Sequence, residues 1–136
     1  STMAYLFFYE GCLISWHSKL HTYVTTSTNH SEYVASAKAA REACWYTKVF
    51  TFLGLPSAVR PIDLFNDSSG AIAMNHNPVH HEANKHVAIA DHFAREQVEL
   101  GIITISHMRT DDLPADVLTK PLPKATFLTL VQTFMN

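Results

Sequence analysis

The segment Leu64-Phe65-Asn66-Asp67-Ser68-Ser69-Gly70-Ala71-Ile72-Ala73 constrains this chain more than any other. An apolar run opening with β-branched and aromatic residues ends in a carboxylate. Two hydroxyl residues and a glycine follow, and the Ala/Ile segment after them reads as helix. A carboxylate at the carboxyl end of a strand, just before a helix, sits where open α/β sheets place their ligands. The same pattern fits a plain helix cap, because Asp and Ser are favoured N-caps. The stretch alone leaves both readings open.

The surrounding chain sets limits. Its 136 residues suffice for a single domain, 1–136, with a core of its own. Hydrophobic residues at 47% and charged residues at 16% describe a globular chain and exclude a disordered one. The net charge of −2 gives no global positive field, so a polyanion must be held by a local patch or by metal ions. The nine histidines are scattered, and none falls into an HExxH or zinc-finger arrangement. Cys12 and Cys44 predict buried free thiols and no disulfide framework. No apolar run approaches the roughly 20 residues of a membrane span. The start, Ser1-Thr2-Met3-Ala4-Tyr5, lacks the basic-then-apolar pattern of a signal peptide, so an intracellular chain with no membrane partner is expected.

Met3 to Tyr9 and Cys12 to His17, separated by Glu10-Gly11, predict a β-hairpin. The polar run to Thr28 either continues the second strand or adds a third over Thr22–Thr25. Asn29 and Glu32 form a capping-box spacing at the head of a long helix that ends at Leu53, before Gly54 and Pro56. A strand over Pro61–Asn66 and a short helix over Ser68–Asn75 follow. Asn77-Pro78 opens a His-rich loop to Asn84. A second long helix spans Lys85–Leu100, and the β-branched run Ile102–His107 reads as a buried strand. Leu113–Leu118 forms a helical turn, and Ala125–Met135 a final amphipathic helix. The order predicts a mixed α/β domain with helices packed on a sheet, with Trp16 and Trp45 in its core.

Three carboxylates occupy informative places: Glu32 in the first long helix, Asp67 after a strand, and Asp116 in a late helical turn. Carboxylates gathered from separate elements bind hard cations through oxygen, and two such cations can flank a phosphodiester. Each also has a plain structural explanation. Glu32 serves as the capping partner of Asn29, Asp67 as a cap, and Asp116 as one solvated acid beside Asp111 and Asp112.

Several segments add a resemblance. Leu13-Ile14-Ser15-Trp16-His17-Ser18-Lys19, Ser31-Glu32-Tyr33-Val34-Ala35, Asn66-Asp67-Ser68-Ser69-Gly70-Ala71-Ile72, Asn77-Pro78-Val79-His80-His81 and Asp91-His92-Phe93-Ala94-Arg95-Glu96 fall in order along the chain. The ending Ala115-Asp116-Val117-Leu118-Thr119-Lys120-Pro121-Leu122-Pro123 is specific on its own. Together they resemble the ribonuclease H domain that closes the Pol polyprotein of Ty1/copia-type retrotransposons. The resemblance implies a ribonuclease H-like fold, a mixed sheet of about five strands flanked by helices. It implies hydrolysis of the RNA strand of an RNA–DNA hybrid, beside the reverse transcriptase domain of the same polyprotein, in a cytoplasmic particle or the nucleus. Two Mg²⁺ (or Mn²⁺) ions held by four carboxylates do this chemistry in the family, and Glu32, Asp67 and Asp116 match three of the four.

The fourth carboxylate lies on the family's first strand, upstream of the segment that Ser1-Thr2 resembles. The expectation is therefore a sheet lacking that central strand, a weak or inactive nuclease, and an exposed sheet edge able to pair in a homodimer. His30 and Ala88 stand where the family commonly has acids. His107, at the end of the last strand, is a candidate for product release or proton transfer. Lys85 and His86 are candidates for lining a hybrid groove, and Arg95 fits a solvated helix face better. A second reading is a catalytically dead or domesticated module that binds a protein or nucleic acid. A third, an unrelated α/β domain with capping carboxylates, requires the three acids to lie far apart.

Overall fold

The computed structural model describes residues 2–21, 28–76 and 85–135; at residues 28–31, 74–76, 85–88, 90 and 91 it describes the backbone only. Its first feature is an antiparallel hairpin of β1 (Thr2–Tyr9) and β2 (Cys12–Leu20). The connecting residues Glu10 and Gly11 both take positive φ, 50° and 78°. Two such residues give the hairpin turn whose twist matches the right-handed twist of the flanking strands. Phe7 faces Ser15 while Phe8 faces Leu13, so Ile14 is the extra residue of a bulge that bends β2.

Helix α1 (Thr28–Leu53, 26 residues) is the axis of the molecule, about 39 Å long. Gly54 ends it with φ 69°, and Leu55 N–H reaches back to the Phe50 carbonyl at 3.0 Å. After a 3-10 turn at Pro56–Val59 come β3 (Ile62–Asn66), α2 (Ser69–His76), α3 (Lys85–Glu99) and β4 (Ile103–His107). Strands β3 and β4 pair in parallel, from Ile62 opposite Ile103 to Asn66 opposite His107. A parallel neighbour requires a crossover, and the chain through α2 and α3 supplies it. A 3-10 turn at Pro114–Leu118 and helix α4 (Lys124–Gln132) close the chain.

The core forms on the alanine-rich stripe of α1. Ala37, Ala40 and Ala43 pack with Phe7 from the hairpin, Ala94 from α3, and Ile103 and Ile105 from β4. Small residues let α1 lie close to all these neighbours at once. Helices α1 and α3 are tied further by Cys44 Sγ donating to Gln97 Oε1 at 3.2 Å and by the Arg41 guanidinium 5.6 Å over the Phe93 ring. Among the described residues, no helix is long and apolar enough to cross a membrane.

The mixed α/β class is as the sequence predicts, and its elements are compatible with a ribonuclease H-like fold. The strands, however, divide into two two-stranded sheets, β1–β2 and β3–β4, where the resemblance implies one mixed sheet. Both sheets lie against α1, and β1 and β3 are not paired to each other. Trp16 and Trp45 are not core residues: 68% and 57% exposed, each sits on the outward face of its element. The aromatic core positions belong instead to Phe7, Tyr33 and Tyr46. Cys12 is exposed as well, because it begins a strand whose outward positions face solvent. The expected strand at Thr22–Thr25 and the His-rich loop to Asn84 lie outside the described residues, as does the Asn29 side chain of the expected capping box.

Candidate active site

Asp67 follows the last residue of β3, and its neighbours show which residue caps α2. Ser68, not Asp67, caps α2: its hydroxyl accepts from Ala71 N–H at 3.1 Å, and its carbonyl accepts from Ile72 N–H at 3.0 Å. Asn66 turns its side-chain carbonyl back onto Ser68 N–H at 2.7 Å, an Asx turn that fixes the bend. Asp67 Oδ2 instead accepts from Thr110 Oγ1 at 3.0 Å, across from the segment after β4.

Glu32 lies in the second turn of α1, and its position relative to β3 is set by a buried pair. Ser36, one turn further along α1, donates to the Glu32 carbonyl at 3.1 Å and accepts from Asn66 Nδ2 at 2.9 Å. Both Asn66 and Ser36 are buried. The end of β3 is thereby fastened beside the start of α1. Asp116 comes from the 3-10 turn Pro114–Leu118 and is itself buried, with Lys120 Nζ 3.0 Å from its Oδ2.

The three carboxylates share one electrostatic neighbourhood. Burial pushes the Glu32 carboxyl above its ordinary range, and the charges of Asp67 and Asp116 push it the same way, against a smaller opposing pull from Lys120. The Lys120 ammonium is held charged to higher pH by its hydrogen bond to Asp116, with the charges of Asp116, Asp67 and Glu32 adding to it.

Oxygen donors of this kind suit Mg²⁺ or Mn²⁺. As they lie, however, the acids do not close on one ion. Among the described residues, no group of three or more His, Cys, Asp or Glu side chains stands close enough to hold a metal. Lys120 meets the buried Oδ2 of Asp116, and Thr110 donates to Oδ2 of Asp67.

His107 ends β4 opposite Asn66, one position from Asp67, with its side chain exposed. Lys85 and His86 begin α3, and their side chains lie outside the described set. Arg95 is half-buried on α3, not fully solvated. Sequence reasoning did not single out Lys120, Ser36 or Asn66. One of these was signalled by spacing: Ser36 is four residues after Glu32 in α1, which places the pair on one helical face.

Comparison with known proteins gives three similar relatives. They are the retrovirus-related Pol polyproteins from transposons RE1 and RE2 of Arabidopsis thaliana, 38% and 36% identical, and from transposon TNT 1-94 of Nicotiana tabacum, 34% identical. Each match covers 127 residues, 93% of this chain. The chain spans only 9% of the length of these relatives. No family model matches the chain, and no solved structure matches it significantly. Relatives 34–38% identical over 93% of the chain are all of one kind, and on that ground this chain belongs with the retrovirus-related Pol polyproteins of Ty1/copia-type transposons, as a segment of such a protein.

Proposed function

We propose that this segment is the ribonuclease H-type part of its polyprotein, cutting the RNA strand of RNA–DNA hybrids made by the reverse transcriptase domain of the same protein. The observation that supports this most is the gathering of Glu32, Asp67 and Asp116 from three separate elements into one neighbourhood, where each acid's charge acts on Glu32. Glu32, Asp67 and Asp116 would help to hold Mg²⁺ or Mn²⁺, which would supply the attacking hydroxide and neutralise the leaving oxygen. The chain's own residues contribute position: Ser36 and Asn66 fix Glu32 beside the β3 end, and Thr110 orients Asp67. His107, Lys85 and His86 are the accessory groups, contacting phosphate or moving a proton at the groove, in a cytoplasmic particle or the nucleus.

With three of the family's four carboxylates, the isolated chain is expected to be a weak or inactive nuclease. A labelled RNA–DNA hybrid with Mg²⁺ or Mn²⁺ tests this. The expected result is little cleavage by the chain alone, cleavage when an upstream strand bearing an Asp is fused before Ser1, and loss of that cleavage in Asp67→Asn. A folded fusion that binds the hybrid but leaves it intact overturns the nuclease reading. It would favour a module that binds without cutting, a reading supported by the Lys120–Asp116 pair, which already neutralises one acid internally.

A further inference from the structure

The outward face of α1 carries a stripe of basic and aromatic residues. Lys38, Arg41, Trp45, Lys48 and Phe52 follow one another at spacings of three, four, three and four residues, which puts them on one side of the helix. All five are exposed, whereas Ala39, Ala43 and Tyr46 on the opposite side are buried. From Lys38 to Phe52 the stripe runs about 21 Å. Strand β2 adds a fourth cation. Ser15 reaches down to Glu42 of α1, and Lys19, an even number of positions along the strand, points the same way. Its charge acts on Lys38.

A solvated helix face ordinarily mixes charges of both signs, which tie one another down. Here four of the ten Lys and Arg of a chain with net charge −2 gather without an acid. Among the described residues, none of the four forms an ion pair. Glu42 is turned to the hairpin, where Ser15 and Tyr5 donate to it. Glu96 and Glu99 of α3 line a separate hollow with His92 and Arg95. The Lys38 ammonium is pushed below its usual range by partial burial, then by the charges of Lys19 and Arg41. Two large rings stand in water beside these cations: Trp45 is 57% exposed and Phe52 89%. Tyr46 meets Trp45 with centroids 5.0 Å apart and planes 69° apart, which steadies the indole while leaving most of it uncovered. A polyanion offsets the crowded cations, and flat apolar groups cover the rings.

We propose that this stripe binds single-stranded nucleic acid, with Lys19, Lys38, Arg41 and Lys48 holding phosphates and Trp45 and Phe52 stacking on bases. A cationic track set with aromatic platforms is what single-strand binding without sequence preference requires. The stripe is long enough for about six nucleotides at roughly 3.4 Å each. A duplex offers the same phosphates but keeps its bases stacked on one another, out of reach of both rings. An acidic polypeptide satisfies the cations and has no repeating flat faces for Trp45 and Phe52. Glu32 precedes Ala39 by seven residues and Ala43 by eleven, so it shares their side of α1 and lies opposite the stripe. A strand bound here does not pass over the three carboxylates, and the proposal stands whether or not the chain cuts a hybrid.

The test uses the whole chain in buffer free of divalent cations, with an oligothymidylate of about twelve nucleotides as the probe. Trp16→Phe, at an exposed position, leaves Trp45 as the only tryptophan, and its fluorescence is expected to be quenched as the oligomer binds. Trp45→Leu is expected to weaken binding about tenfold. With four phosphate contacts, the logarithm of the binding constant should fall against the logarithm of salt concentration with a slope of about −2.8. The double variant Lys38→Gln, Lys48→Gln should bring that slope to about −1.4. A duplex of the same length is expected to bind at least about tenfold more weakly than the single strand. The wild-type salt slope and the duplex comparison decide the matter even if a variant misfolds. No binding, equal binding of the duplex, an unquenched Trp45 or a slope unmoved by the lysine substitutions overturns the proposal. Displacement of the oligomer by polyglutamate at equal charge also overturns it, and would assign the stripe to an acidic polypeptide.

Discussion

Lys120 Nζ stands 3.0 Å from Asp116 Oδ2, so the one buried acid of the carboxylate cluster carries its counter-ion four residues along its own chain. The ammonium is half exposed while the carboxylate is buried, which makes the pair stronger than a surface bridge and weaker than a sealed one. Its geometry links the late turn to the acids on α1 and after β3.

Lys120→Met is expected to cost about 0.5–1 kcal/mol of stability near neutral pH, read from urea unfolding. The raised Lys120 pKa fixes how this varies with pH. A cation held more tightly in the fold stabilises fully below the unfolded lysine value, near 10.4. That stabilisation is lost as pH rises through the higher folded value. The difference between wild type and variant should therefore stay constant from about pH 7 to 9 and shrink above about pH 10. The same substitution frees Asp116 and should tighten Mn²⁺ binding measured by calorimetry. A gap in stability that widens at alkaline pH would be inconsistent with this pairing.

Glu32 titrates in the opposite thermodynamic direction from a salt-bridged acid. Its folded pKa is raised, chiefly by burial and then by Asp67 and Asp116. The folded state thus holds its proton longer than the unfolded one, and Glu32 costs stability once pH has risen past its folded value. Glu32→Gln should stabilise the chain at about pH 7 and leave stability unchanged below the ordinary glutamate value near 4.3. Thermal unfolding at the two pH values checks this. Equal effects at both would show that Glu32 acts through packing and not through charge.

The buried pair Asn66–Ser36 is the mechanical joint of the site. Asn66→Ala removes the amide donated to Ser36 and the acceptor for Ser68 N–H, leaving buried polar groups without partners. A loss of about 1–3 kcal/mol is expected in urea unfolding. Asn66→Asp keeps the acceptor for Ser68 but loses the donor, so it should recover part of that loss. If the alanine variant unfolds like wild type, β3 is not fastened to α1 through this contact.

Local chemistry explains what the sequence made legible. Strand β1 and the Glu10-Gly11 turn were readable because turn residues and alternating aromatics act within a few positions of each other. The long helix was readable from the Asn29–Glu32 spacing at its head and the Gly54 stop. Trp16 and Trp45 were misplaced because size and hydrophobicity argue for burial, whereas α1 needs the small faces of Ala37, Ala40 and Ala43 to approach its neighbours. Whether Asp67 capped a helix could not be read from spacing, since Ser68 competes for the same role one position away. The division into two sheets was also hidden, because strand partners are chosen across long separations that periodicity does not encode.

Tyr5 offers a spectroscopic check on the hairpin–helix contact. Its ring stacks 5.1 Å from His17, its neighbour across the hairpin, and its hydroxyl hydrogen-bonds Glu42 of α1, which Ser15 also reaches. Burial, that hydrogen bond and the Glu42 charge all oppose ionisation, so the phenol lies well above its usual range. The fold keeps the Tyr5 proton that the unfolded chain gives up near pH 10, so stability falls as pH climbs past that value. The phenolate absorbance of wild type minus that of Tyr5→Phe should isolate a Tyr5 step that is still protonated at about pH 11 and ionises only as the chain unfolds. Glu42→Gln, which keeps a hydrogen-bond acceptor but removes the charge, should move the step to lower pH without abolishing it. A Tyr5 step centred near pH 10 would mean that β1 does not hold Tyr5 against α1 in solution.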